Sequence, residues 1–148
     1  MKKTMIILAA VLFAAGTVHS ETVEQAYKED SISIQKGGPF SSERQTIIKL
    51  GEKVKFTLKV YQDEFFGHST ISANASIKNT TALKVKAVYS ISFHDKDGML
   101  VGCHQGTWDL DGEDSVNYGS GIIYAEEKEI ESVTSYKLKI TAIRLNKE

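Results

Sequence analysis

Most of this chain alternates between apolar and polar residues, and this period of two constrains the fold more than any other feature. The alternation is clearest over 54–60, 71–77, 83–93 and 136–140. Successive side chains of a strand point to opposite faces of its sheet, so each run predicts a strand with one buried and one wet face. Such strands are typical of antiparallel sheets. The residues predicted to form the core are Phe56, Leu58, Val85, Ala87, Tyr89, Ile91, Leu138 and Ile140.

Weaker strand patterns lie between these runs, over 31–35, 45–50, 99–108 and 115–125. Turn-forming residues such as Asp, Asn and Gly separate the patterns. Only 126–133 resembles a helical turn, so the crossover helices of a parallel α/β sheet are excluded. About seven to eight short strands joined by turns predict an all-β fold, an antiparallel sandwich of the immunoglobulin-like kind.

The N-terminus predicts export. Residues 1–20 contain Lys2 and Lys3, an apolar run over 5–15 and a small-residue end, which is the pattern of a cleavable signal peptide. The apolar run is shorter than the roughly 20 residues that span a bilayer, although an uncleaved anchor is the alternative. Cleavage before Glu21 predicts a periplasmic or secreted protein without a transmembrane segment, a polar N-terminal arm over 21–30 and one domain over 31–148.

The charge of the exported chain argues against nucleic acid as a partner. The full sequence has 18 Lys and Arg against 19 Asp and Glu, and the signal peptide removes two lysines, which leaves 16 against 19, or −3. Nucleic-acid-binding domains usually carry a basic excess.

A single cysteine, Cys103, cannot form an internal disulfide. If the turn over 95–98 has three residues and a bulge at Gly98, Cys103 faces the core with Ile91 and Phe93. A four-residue loop would instead place the thiol in water. Gly98 ends the turn, where positive φ is required, so the bulged form and a buried, inert thiol are expected.

No residue pattern indicates catalysis or a cofactor. A Gly-x-Ser-x-Gly elbow is missing, and the histidines and the cysteine lack zinc-type spacing. Two acidic turns would bind Ca²⁺ if they met at one end of the sandwich, although Asp is also an ordinary turn former. Their candidate metal ligands are Asp95, Asp97, Asp109 and Asp111.

Two features predict binding surfaces. Phe65 and Phe66 are adjacent aromatics in a loop, so one ring can cap the core while the other anchors a partner. The alternative is that both rings pack against the core and close the end of the sandwich. Lysines recur on the wet sides of the strands and would form a basic face for anionic glycan or lipid headgroups if the strands are neighbours, or would protect sheet edges. The lysine candidates are Lys53, Lys55, Lys84 and Lys86.

Three segments resemble the FxLYD-type bacterial domain: Asn79-Thr80-Thr81, Ile91-Ser92-Phe93-His94-Asp95 with Gly98, and Leu110-Asp111-Gly112-Glu113. The resemblance covers roughly 71–140. Ile91, Phe93 and His94 stand where that family has Phe, Leu and Tyr. The resemblance implies an immunoglobulin-like sandwich in an exported protein, with no shared activity and no catalytic residue.

These patterns together predict a non-catalytic exported domain that contacts a protein or a component of the cell envelope. A small-ligand or calcium-binding periplasmic protein that uses the acidic loops is the second hypothesis. A hydrolase with an unrecognised site is the third.

Overall fold

The structure is a computed structural model that describes residues 21–145. The predicted signal peptide over 1–20 lies outside the described residues. Eight strands, one 3-10 turn (Ser42–Arg44) and one short helix form the fold. The elements are β1 (Thr22–Ser31), β2 (Thr46–Leu50), β3 (Val54–Phe65), β4 (His68–Asn79), β5 (Val85–Asp95), β6 (Leu100–Leu110), β7 (Val116–Tyr124), α1 (Glu127–Ser132) and β8 (Val133–Arg144).

Two four-stranded antiparallel sheets form the sandwich. Sheet A has the order β1-β8-β5-β6 and sheet B the order β2-β3-β4-β7. The first and last strands therefore pair with each other. This arrangement confirms the predicted all-β antiparallel sandwich, a two-sheet architecture that immunoglobulin-like domains share. No helix within residues 21–145 is long and apolar enough to cross a membrane.

The core lies between the inner faces of the two sheets, as the alternation predicts. None of the eight predicted core residues exposes more than 2% of its surface. Ile130 of α1 is 1% exposed and closes one end of the core. The register of the strongest strands is thus confirmed, because a shift of one residue would have turned every one of these side chains outward.

The polar stretch over 21–30 forms a strand, so the prediction of a loose N-terminal arm is wrong. β1 pairs with β8 along its length, and Val23 and Ala26 pack against the core. The Glu24 carboxylate also accepts hydrogen bonds from the backbone N–H groups of Lys53 (3.0 Å) and Val54 (2.6 Å), which connects β1 to sheet B. β1 is polar because it is an edge strand with a wet outer face, where charged residues discourage pairing with other chains.

Cys103 is exposed, so the prediction of a buried thiol is wrong. The turn closes at the expected place, because the Asp95 N–H donates to the Met99 carbonyl (3.0 Å). A second irregularity follows, since His94 pairs with Leu100 but Phe93 pairs with Gly102. The extra residue reverses the parity of β6, as bulges do. Cys103 therefore pairs with Ser92 on the outer face, where it is open to reagents.

The same parity turns His104 inward, where β6 and β7 interlock across the two sheets. Two inward positions of each strand are glycines, and each glycine leaves room for a ring or branched side chain of a neighbouring strand. The inward contacts are Gly102 with Ile123, Gly106 with Tyr89, Gly119 with Trp108, and Gly121 with His104.

Aromatic rings fill the space that these glycines leave. The rings of Tyr89 and Trp108 stack with centroids 5.0 Å apart, and the Tyr89 hydroxyl is hydrogen-bonded to His104 Nδ1 (2.7 Å). Burial raises the pKa of Tyr89 to about 12 and lowers the pKa of His104. Both shifts favour the neutral forms of these groups, as desolvation does.

Candidate functional site

The β3–β4 hairpin presents two aromatic rings at one end of sheet B. Phe66 and Gly67 form its two-residue turn with φ values of 51° and 77°. Positive φ at both positions matches the twist of the flanking strands, but it is unusual for a bulky residue such as Phe66. The conformation holds the Phe66 ring in solvent with 88% of its surface exposed. Strain of this kind concentrates at functional sites, which makes the turn a candidate contact point.

Tyr124 joins these rings from the end of β7. The Phe65 ring packs edge-to-face against Phe66 and Tyr124, with centroid distances of 4.5 and 6.5 Å. Phe65 is 39% and Tyr124 63% exposed. We call Phe65, Phe66 and Tyr124 the aromatic tip. It is a contiguous apolar patch on the surface, whereas exposed apolar residues on soluble proteins are usually scattered.

An acidic recess borders the aromatic tip. It lies between the hairpin and α1 and has a volume of about 590 Å³. The Glu126 and Glu129 side chains cap each other's backbone N–H groups, which anchors both carboxylates at the start of α1. Glu127 forms an ion pair with Lys36. The lining residues are Gly67, His68, Ser69, Tyr124, Ala125, Glu126, Glu127 and Glu129.

Of the two rings predicted to lie in a loop, Phe66 is in the turn and Phe65 is the last residue of β3; Phe66 is the more exposed ring. Tyr124 and the recess were missed. Their signal in the sequence is the pattern over 116–124, where apolar and aromatic residues occupy both parities of the strand. Tyr118 and Tyr124 face outward while Ile123 faces the core.

The candidate lysines do not form one basic face, because the strands that carry them lie in different sheets. Lys53 and Lys55 are at the start of β3 in sheet B, whereas Lys84 and Lys86 are at the start of β5 in sheet A. The sheet A lysines are paired with acids: Lys84 with Asp111 (3.2 Å) and Lys86 with Asp109 (4.0 Å).

The two acidic turns do not meet either, so they cannot hold one Ca²⁺ ion between them. Asp95 and Asp97 lie before β6, and Asp109 and Asp111 lie at its far end. Eleven residues of strand separate the two turns by roughly 35 Å. Asp95 Oδ1 accepts hydrogen bonds from the backbone N–H groups of Asp97 (2.9 Å) and Met99 (2.8 Å), as Asp side chains commonly do in turns. Residues 21–145 contain no group of three or more His, Cys, Asp or Glu side chains placed to hold a metal.

A serine–histidine pair on sheet A was also missed. Ser92 Oγ and His94 Nε2 are 2.9 Å apart, and His94 Nδ1 is 3.2 Å from the Gly98 carbonyl. Because the Gly98 carbonyl can only accept a hydrogen bond, the imidazole proton is on Nδ1. Nε2 is then unprotonated and accepts a hydrogen bond from the Ser92 hydroxyl. The two residues are separated by one position in a strand, and this spacing is the signal that places them on one face. β5 is an inner strand that pairs with β6 on one side and β8 on the other, so its own backbone N–H groups are engaged in the sheet and do not form an oxyanion site beside the pair.

Comparisons with known proteins do not place the chain in a family. No family model matches the sequence, and no curated protein matches it. Among solved structures, one similarity is to the enzymatically active domain of tailspike protein 4 of bacteriophage CBA120, with 10% identity and a TM-score of 0.25. The match covers 82% of this chain and 18% of the tailspike chain, so this chain spans less than a fifth of that protein's length.

Proposed function

We propose that this protein is a non-catalytic exported binding domain that docks a protein partner through the aromatic tip. The observation that carries the proposal is the contiguous exposure of three aromatic rings beside a built recess. Tyr and Phe side chains that stay ordered in solvent bury large areas on binding at low entropic cost, which is why aromatic anchors dominate interface energies. Export remains an inference from residues 1–20, and the resemblance to FxLYD-type domains is consistent with it.

The chemistry of the tip selects the partner. Glu126 and Glu129 line the recess beside Tyr124, Glu64 precedes Phe65 in β3, and all three residues are exposed. A partner segment with an apolar side chain flanked by Lys or Arg fits this surface, because its cations meet both the carboxylates and the aromatic faces.

The substitution Phe66→Ser tests the proposal. It removes the most exposed ring and relieves a bulky residue from positive φ, so the fold should be retained. We expect the purified wild-type protein, immobilised, to retain a specific protein from an envelope extract in a salt-sensitive manner. Phe66→Ser should reduce the capture of that same protein by about tenfold or more, as loss of an interface anchor does.

Tyr27→Ser is the matched control, since Tyr27 is 57% exposed on the outer face of sheet A, away from the tip. The control should capture as much as the wild type. Equal capture by the wild type and Phe66→Ser would exclude the aromatic tip as the docking site.

The serine–histidine pair provides the test of the non-catalytic part of the proposal. Because β5 offers no oxyanion donors beside the pair, we expect the Ser92 hydroxyl to gain little transition-state stabilisation, since such donors account for about 10²–10³ in rate each. We expect hydrolysis of p-nitrophenyl acetate by the wild type and by Ser92→Ala to proceed at the same rate. A rate that falls at least about tenfold in Ser92→Ala and leaves an acylated Ser92 in the wild type, detected by mass spectrometry, would establish a hydrolase instead.

A further inference from the structure

The outer face of sheet B carries a second surface, separate from the end of the sheet where the aromatic tip lies. The pairing of β3 with β4 places polar side chains side by side there, with Thr57 opposite Ser76 and Lys59 opposite Asn74. The next strand adds Tyr118, which lies opposite Ser76 and is 78% exposed. The outer face is therefore a polar floor with an aromatic side chain along one border.

A chain segment borders the other side of this floor. Gly37 donates its N–H to the Gln62 carbonyl (2.9 Å), and from there the chain passes over the outer face and covers Tyr61, which is 3% exposed although it points outward. Pro39 then lies against the floor across from Tyr118. The two borders enclose a groove of about 250 Å³. Its principal lining residues are Pro39, Thr57, Lys59, Asn74, Ser76 and Tyr118.

The charge of this face is not neutralised by the protein. Within residues 21–145, no ion pair is formed by four lysines that lie on or beside the face, which are Lys49, Lys53, Lys55 and Lys59. Most of the outward lysines of sheet A are compensated: Lys84, Lys86 and Lys137 each have an acidic partner, and within the described residues Lys139 is the exception. Asp63, near the far end of β3, is the one carboxylate among the outward strand residues of sheet B.

One cross-strand pair on this face opposes stability. Lys55 and Lys78 lie directly opposite each other on β3 and β4. Like charges in this position destabilise a sheet, and Asp114 offsets only Lys78, at 3.3 Å between two exposed groups. A surface that gathers uncompensated positive charge around a polar groove is complementary to an anion.

We propose that the outer face of sheet B binds an anionic polysaccharide, one of whose sugar rings occupies the groove between Pro39 and Tyr118. The apolar face of a pyranose ring packs on the Tyr118 ring, its hydroxyls exchange hydrogen bonds with Thr57, Asn74 and Ser76, and its uronate or sulfate groups meet the lysines. The groove is smaller than the roughly 300–1,000 Å³ of a pocket for a drug-sized ligand, which fits one ring of a longer chain. This proposal is independent of the aromatic tip.

The groove favours a polysaccharide over a membrane surface. A bilayer meets a protein at protruding apolar side chains, and its headgroups would leave the hydroxyl and amide groups of a recessed floor unpaired. Phe40, which is 99% exposed beside Pro39, is the side chain that a membrane would use. The variant Phe40→Ser therefore distinguishes the two kinds of partner, because it should weaken binding to a membrane and leave binding to a polysaccharide unchanged.

The experiment titrates the purified protein with an alginate hexasaccharide at low ionic strength, followed by NMR and calorimetry. We expect saturable binding that weakens as salt is added, and much weaker binding of the neutral probe maltohexaose. The double variant Lys55→Gln/Lys59→Gln and the single variant Tyr118→Ser should each weaken alginate binding by about tenfold. Phe40→Ser and Phe66→Ser should bind alginate as the wild type does.

Matched controls come from sheet A. Lys86→Gln/Lys139→Gln removes the same charge from the opposite face, and Tyr27→Ser removes a tyrosine ring that is also exposed, at 57% against 78% for Tyr118, so both should bind alginate within about twofold of the wild type. Several results would overturn the proposal: no saturable alginate binding, equal binding of maltohexaose, or equal weakening by the sheet A controls. Binding of phosphatidylglycerol vesicles that Phe40→Ser abolishes, without alginate binding, would assign the face to a membrane. Loss of partner capture in Phe66→Ser, by contrast, concerns the aromatic tip alone.

Discussion

Ile91→Ala is expected to lower the free energy of unfolding by about 2–5 kcal/mol. Ile91 lies in the middle of β5, an inner strand of sheet A, and is 1% exposed in the core cluster. The substitution removes buried methyl and methylene groups and leaves a cavity that the two sheets cannot close, because β5 is hydrogen-bonded on both sides. Chemical denaturation followed by tryptophan fluorescence measures the change, since Trp108 is half-buried against the core.

Val88→Ala provides the control on the same strand. Val88 lies on the outer face and is 41% exposed, so its truncation should change the stability by less than about 0.5 kcal/mol. If the two variants were equally stable, the inner and outer faces of β5 would have been assigned the wrong way round.

Gly121→Val should be the other strongly destabilising change, with an expected loss of about 1–3 kcal/mol. A Cβ at Gly121 would overlap the His104 imidazole. The ring cannot move aside without breaking its hydrogen bond to Tyr89, whose ring is itself stacked on Trp108. The added side chain therefore forces β7 away from β6 or displaces a buried polar group, and both are costly in a close-packed interior.

Ser120→Val adds similar bulk at the neighbouring, outward position of β7, and should be nearly neutral because Val is a good strand former. The double variant Gly121→Val/His104→Ala tests the mechanism further. Removing the imidazole makes room for the new side chain, so the two changes should be less destabilising together than the sum of the single effects. Strict additivity, measured by thermal unfolding, would contradict the interlock.

Local patterns determined the fold class and most of the core. A strand with one wet face has to alternate, so Phe56, Leu58 and Tyr89 could be assigned to the inner face before any pairing was known. The same patterns placed a helical turn near 126–133, where α1 forms. The exposure of one of the rings Phe65 and Phe66 was predicted in the same way, because two adjacent rings of a strand alternate in direction and one of them can stay at the surface.

Local patterns failed where a single extra residue or a distant strand decided the outcome. One irregularity in β6 reversed the parity of Cys103 and His104, and the turn chemistry of Asp95 and Gly98 carries no information about it. β1 looked like a loose arm because the strand with which it pairs, β8, lies more than a hundred residues away in the sequence. Tyr124 was missed because its aromatic partner Phe65 lies on another strand, whereas Ser92 and His94 are neighbours on one face of β5 whose orientation is set by the Gly98 carbonyl in the following turn.

The sequence by itself determined that this chain forms antiparallel strands, which residues of the strong strands face the core and where the chain turns, because these properties depend on neighbours within a few residues. The tertiary structure decided how the lysines and carboxylates are distributed. Strand order placed Lys53 and Lys55 on sheet B and Lys84 and Lys86 on sheet A, and it placed the two acidic turns at opposite ends of β6. Strand order arises from the packing of whole sheets, and surface charges contribute little to that packing. Which lysines share a face is therefore a property of the folded molecule that no local pattern encodes.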